Sequence, residues 1–123
     1  MIDFESRKEG RENYTSAQDI ASMLDKIYAG KLINRDYSEK ALCFLARQKI
    51  CDRLPKRLPA GTIVAHKTGL ERNVCHDAGI VFSPYGDYLI CVLTRHHSKT
   101  ARLAKAFIAK VSLEVYNFYR DNQ

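Results

Sequence analysis

The spacing of apolar residues divides the chain into helical and extended stretches. From residue 16 to 30, Ile20, Ala21, Met23, Leu24, Ile27 and Tyr28 recur three and four positions apart, the repeat of a helix with one apolar face. Thr15 or Ser16 caps it, Ser16-Ala17-Gln18-Asp19 resembling a capping box with aspartate in the glutamate position, and Gly30 closes it as a C-terminal cap. A second helix is predicted from about Asp36 to Gln48, with Asp36-Tyr37-Ser38-Glu39 repeating the capping signature and Ala41, Leu42, Leu45 and Ala46 as its buried side. Pro55 and Pro59 break the basic segment that follows, and Pro59-Ala60-Gly61 makes a turn. Three strands come next: about Thr62 to Leu70, Ala78 to Ser83, and Asp87 to Thr94, the last two joined into an antiparallel hairpin by Pro84-Tyr85-Gly86-Asp87. Ile80-Val81-Phe82 and Leu89-Ile90-Cys91-Val92-Leu93 are continuous apolar runs, the pattern of strands covered on both faces. From about Lys99 to Arg120 a long helix carries Leu103, Phe107, Val111, Val115 and Phe118 as its stripe. The predicted fold is α+β: a three-stranded antiparallel sheet flanked by helices on both faces, in a single domain over residues 1–123.

Composition adds bounds. At 123 residues and 46% hydrophobic content the chain holds one globular core at most. The net charge of +6 suits an anionic partner: nucleic acid, an acidic membrane face or a carboxylate. Arg47, Arg53, Lys56, Arg57 and Arg95 are the basic residues a small nucleic-acid or anion-binding module would use, but no aromatic-plus-basic motif of the RNA-binding kind accompanies them. Of the four cysteines, Cys43 and Cys91 lie among apolar residues and read as core thiols; Cys51 and Cys75 complete the set, and free thiols are expected. Met1-Ile2-Asp3-Phe4-Glu5 lacks the apolar segment of a signal peptide, and no apolar run reaches the roughly 18 residues that span a bilayer. Asp3, Glu5, Glu9 and Glu12 form a charged opening with room for one helical turn; none is expected to be a general base.

Val64-Ala65-His66-Lys67-Thr68-Gly69 carries the candidate chemistry. Burying a lysine in an extended apolar run costs free energy unless it has a partner or a task. Glycine weakens a strand unless a ligand or another backbone comes close. Together Lys67, Thr68 and Gly69 read as an anion-binding strand edge: the ammonium attracts, the hydroxyl donates, and the missing side chain lets a substrate lie alongside.

Lys67-Thr68-Gly69 on a strand, followed by a hairpin partner and a long C-terminal helix, resembles the last part of the serine β-lactamase and penicillin-binding-protein superfamily. Leu58-Pro59-Ala60-Gly61-Thr62 leads into the strand as in class A-like members. Asn13-Tyr14-Thr15-Ser16-Ala17-Gln18-Asp19 is similar to the family's helix start, His76-Asp77-Ala78-Gly79 to its middle strand, and Val92-Leu93-Thr94 to its end. The resemblance runs from about Asp3 to Tyr119. It implies that Lys67 steers a substrate carboxylate and relays a proton, that Thr68 donates to that carboxylate, and that Gly69 leaves room for the substrate chain. It also implies that the Leu70 backbone N–H is one of two oxyanion donors and that His76 shapes the hairpin beside the site. The substrate it implies is a β-lactam or a peptidoglycan-like acyl peptide, attacked by a serine to give an acyl-enzyme. Members of the superfamily act outside the cytoplasmic membrane.

The family's nucleophile motif Ser-x-x-Lys does not occur: the residues three after each serine are Glu9, Asp19, Asp25, Ala41, Gly86, Ala101 and Val115. Ser-Asp-Asn is absent too. The expectation is therefore a C-terminal fragment of such a catalytic domain, with an incomplete fold, inactive alone, needing no cofactor, and self-associating through apolar surface or pairing with a separate N-terminal half. Adjacent residues point to opposite faces of a strand, so His76 and Asp77 are not expected to bond each other. His66, Cys75, His76, His96 and His97 match no standard zinc spacing, and no metal site is expected.

Overall fold

The computed structural model describes residues 4–123. Met1, Ile2 and Asp3, read above for a leader and as an acidic candidate, lie outside the described residues. A short helix α1 (Phe4–Lys8) precedes α2 (Ala17–Tyr28) and α3 (Arg35–Ala46). Three strands, β1 (Ile63–Glu71), β2 (Val74–Phe82) and β3 (Tyr88–Arg95), lead to the long helix α4 (Arg102–Asp121). The strands form one antiparallel sheet in the order β1-β2-β3.

The caps explain the helix ends. Ser16 Oγ accepts the Asp19 N–H at 3.1 Å, and Gly30 takes the left-handed conformation, φ 73°, that glycine adopts without strain. The second helix begins earlier than its Asp36 signature suggested. Asn34 is the cap, accepting from Tyr37 N–H at 2.9 Å, and Ser38 turns inward to accept from Leu32 N–H at 2.9 Å and donate to Asn34 C=O at 2.9 Å.

Alternation along the strands splits the core in two. On one face Leu24, Ala65, Ala78 and Ile80 are buried beneath α2 and α3, with Ile20, Leu42, Leu45 and Cys91 packed against them. On the other, Leu54, Val64, Cys75, Val81, Tyr88, Ile90 and Ile108 are buried between the sheet, α4 and the 50s loop. Helices on both faces match the continuous apolar runs of β2 and β3. Tyr88 stacks on Tyr119 at 4.6 Å between centroids, and burial pushes its hydroxyl pKa up to about 12.

Three expectations are corrected. The middle strand starts at Val74 rather than Ala78, because buried partners satisfy the polar residues His76 and Asp77 inside the sheet. The buried side of α4 is Ile108, Ala109, Ser112 and Tyr116; Leu103, Phe107 and Phe118 of the predicted stripe are 67%, 55% and 64% exposed. Val111 and Val115 of that stripe do pack against the core, so the helix carries one broad apolar arc of which the sheet covers part. Cys43 is exposed on α3 rather than in the core, whereas Cys91 packs on it; all four thiols are free.

Gly79 on β2 pairs with His66 on β1. A Cβ at residue 79 would sit 2.5 Å from Ala65 C=O and 2.5 Å from His66 Cβ, against backbone that cannot yield without moving the strand. Gly79→Ala is expected to lower unfolding free energy by about 1–3 kcal/mol, as overpacking does. Urea denaturation checks this; an unchanged midpoint would mean that β1 relaxes freely.

Candidate functional site

The ladder sets which groups the free edge of β1 presents. Hydrogen bonding alternates along antiparallel strands. His96 N–H donates to Asn73 C=O at 2.8 Å, in register with the β2–β3 pairing. Even-numbered residues of β3 therefore face β2, odd-numbered residues of β2 face β3, and even-numbered ones face β1. Through the β1–β2 register this turns Val64, His66, Thr68 and Leu70 outward. The backbone N–H of Leu70 and the C=O of Thr68 lie on the open edge of the sheet.

Lys67 is exposed rather than buried, because β1 is the edge strand of the sheet. Its Nζ turns back to donate to Thr68 C=O at 2.5 Å, which holds the ammonium at the rim. Thr68 is 7% exposed and lies on the opposite face of the strand, across from Asp77. Lys67 and Thr68 thus approach the edge from different sides. Gly69 pairs with His76, and a Cβ there would meet the imidazole at 3.5 Å, an ordinary contact. Internal packing requires a glycine at 79 but not at 69.

His76 is half-buried, and its Nδ1 accepts the Thr94 N–H at 3.1 Å, which assigns the proton of the neutral ring to Nε2. Burial, with a smaller contribution from Arg53, holds its pKa below the usual 6.5. It lines a cleft of about 730 Å³ between the N-terminal segment, the β1–β2 turn and the end of β3. The cleft is closed on one side by Arg7, whose guanidinium forks onto Glu71 at 3.2 and 3.0 Å.

Beneath the edge lies a buried polar cluster that sequence reasoning missed. His66, 1% exposed, places Nδ1 at 2.8 and 3.0 Å from the two carboxylate oxygens of Asp77, itself wholly buried. Asp77 also accepts the Leu54 N–H at 3.0 Å. Arg53, 2% exposed, donates from Nε to Cys75 Sγ at 3.2 Å, while its Nη1 approaches Asp52 at 3.2 Å without hydrogen-bond alignment. Lys105, 2.8 Å from Asp52, and Arg53 together outweigh the burial of that carboxyl and keep its pKa low. His66 was readable only as a polar residue in an apolar run; its partner is set by strand register. The burial of Arg53 removes it from the surface patch proposed for an anion-binding module. Arg47, Lys56, Arg57 and Arg95 are exposed but lie just after α3, in the 50s loop and at the end of β3. Among the described residues no group of three or more His, Cys, Asp or Glu converges to hold a metal ion, and no helix is long and apolar enough to cross a membrane.

Comparison with known proteins places the whole chain in a known class. The beta-lactamase enzyme family matches residues 1–119, and the chain belongs to that family. It is 30% identical to the extended-spectrum beta-lactamase PER-1 of Pseudomonas aeruginosa over 87% of its own length and 37% of the relative's. A class A beta-lactamase from Bacteroides cellulosilyticus superposes with a TM-score of 0.84 at 25% identity, covering 98% of this chain and 47% of that one. PBP-A superposes at 0.79 with 30% identity over 87% and 40%, and has also been solved, as an L158E mutant, in an acyl-enzyme complex with penicillin G. The chain therefore spans less than half the length of these relatives.

Two measurements probe the cluster and the histidine. Asp77→Ala strands His66 Nδ1 and Leu54 N–H in a dry interior and should cost about 3 kcal/mol or more, whereas Lys67→Ala, exposed, should cost less than about 0.5 kcal/mol. Urea unfolding of the two variants tests the contrast, and equal losses would contradict it. For His76, the folded state disfavours the proton, so the unfolded chain binds more of it as pH falls below 6.5; stability should decline on acidification through that window and level off below the folded pKa. An NMR titration should give a His76 midpoint below 6.5; a midpoint above it would refute this assignment.

Proposed function

We propose that this chain carries the substrate-anchoring edge of a β-lactamase-like serine hydrolase and is the C-terminal part of its catalytic domain. In a complete domain the substrate is a β-lactam or a related peptidoglycan-like acyl peptide. The Lys67 ammonium draws in the substrate carboxylate and relays a proton, and the Thr68 hydroxyl donates to that carboxylate. Gly69 leaves room for the acyl chain along the edge. The outward N–H of Leu70 supplies one donor of an oxyanion hole, a device whose single-donor loss costs about a hundredfold or more in rate. His76 shapes the hairpin wall beside them.

The observation that carries this reading is the open edge of β1, where Lys67 Nζ is held at the Thr68 C=O and the ladder turns Leu70 N–H outward. Gly69 supports it: nothing inside the fold demands a glycine there, so the demand falls to something lying outside. The acyl-enzyme route needs a nucleophile, and the sequence has no Ser-x-x-Lys to supply one. The exposed Leu103, Phe107 and Phe118 support the further reading that this surface meets more protein, either a second copy or a separate N-terminal half.

Incubated with a chromogenic cephalosporin, the chain should give no turnover above buffer, and mass spectrometry after exposure to benzylpenicillin should show no acyl adduct. A stoichiometric adduct would overturn the assignment of the nucleophile to residues this chain lacks.

A further inference from the structure

A second groove, of about 610 Å³, runs between the start of α4 and the 50s loop. It shares no lining residue with the cleft beside His76. Lys56 and Arg57 of the loop line it, with Arg102, Lys105 and Lys110 of the helix. One carboxylate, Asp52, lies among these cations, and it is already engaged: Lys105 is 2.8 Å from it and the buried Arg53 3.2 Å. Lys56, Arg57, Arg102 and Lys110 are exposed. Among the described residues no ion pair or side-chain hydrogen bond holds any of these four. Unpaired cations gathered on two segments repel one another. The first turn of α4 sharpens the mismatch: it carries Arg102 and Lys105 and no acid, and no side chain caps it. Helix starts favour negative charge, because their first N–H groups lack partners and the dipole is positive there. Cations at this end cost free energy by themselves and stabilise the helix start once an anion sits between them.

We propose that this groove binds a phosphate-class anion carrying two or more negative charges. Arg57 and Arg102 supply planar forks that match phosphate oxygens two at a time, and Lys56 and Lys110 supply point charges. A single carboxylate neutralises one cation of the four, whereas a diphosphate has charge and acceptor oxygens to spread over the set. Asp52 repels such a ligand, but Lys105 and Arg53 already offset its charge. The groove is separate from the β1 edge, so the proposal stands independently of the function proposed for that edge. Leu103 and Phe107 also line it. The phosphoryl groups therefore have two possible sources of the same chemistry: a free anion, or a lipid headgroup whose acyl chain meets those two side chains.

Calorimetric titration of the whole chain with sodium diphosphate in low-salt buffer tests the free source; binding there should saturate and weaken as salt is added. Co-sedimentation with phosphatidylglycerol vesicles, against phosphatidylcholine vesicles as the neutral control, tests the lipid source. Arg57→Gln combined with Arg102→Gln should weaken binding of the responding probe by about tenfold or more. Lys26→Gln combined with Lys31→Gln removes the same charge from exposed positions on α2 and just after it, across the sheet. That control should change binding by less than about twofold, because screening isolates distant surface charges. NMR gives a readout that needs no variant: the responding probe should shift the amides of Lys56, Arg57 and the first turn of α4 and leave that of His76 in place. Binding of diphosphate alone identifies a free anion and binding to the anionic vesicles alone a lipid headgroup; either one, lost in the groove variant, supports the site. Silence from both probes overturns the proposal. So does binding that the two double variants weaken equally, or amide shifts that gather away from the groove.

Discussion

The buried carboxylate of Asp77 is the point on which the rest of this structure depends. It sits on the central strand, wholly out of solvent, where an unpaired charge would cost several kcal/mol. Its oxygens are shared between His66 on the edge strand and the Leu54 N–H on the 50s loop. One side chain therefore ties together three segments far apart in sequence. Lys67 and Thr68, which follow His66 directly, inherit their position from that contact. So does Arg53, which precedes Leu54 and reaches Cys75 on the same face.

The sheet is asymmetric in how it is finished. Both faces are covered, by α2 and α3 on one side and α4 on the other, and each holds a buried core cluster. The edges are open. On β1 the open edge carries an ammonium and outward-facing amides. On β3 it carries almost nothing but apolar side chains. Open edges and an exposed apolar stripe on α4 fit a chain that spans less than half the length of the relatives it matches.

Much of this was legible in the sequence. Helical spacing together with Ser16 and Gly30 marked α2 closely, and the continuous apolar runs of β2 and β3 announced a sheet covered twice. Lys67-Thr68-Gly69, with the segments around it, pointed to the family. What stayed hidden was set by contacts between distant segments. Val74 to Asp77 looked like loop because two of its four residues are polar, and their burial depends on His66, Leu54 and Thr94, which only the register brings near. Lys67 was expected to be buried because its neighbours are apolar, but an edge strand leaves it open. On α4, periodicity revealed the apolar arc, and Val111 and Val115 do meet the core, but it could not say how far round the helix the covered part would reach.

The two sides of the cleft beside His76 are held by forces of different kinds. The floor is backbone pairing and a shielded imidazole. The wall is the fork of Arg7 on Glu71, two side chains each more than 40% exposed. Mobile ions reach such a pair and damp its attraction, over a distance of about 8 Å at physiological ionic strength. Salt therefore weakens the tie between the N-terminal segment and the hairpin tip and leaves the floor untouched.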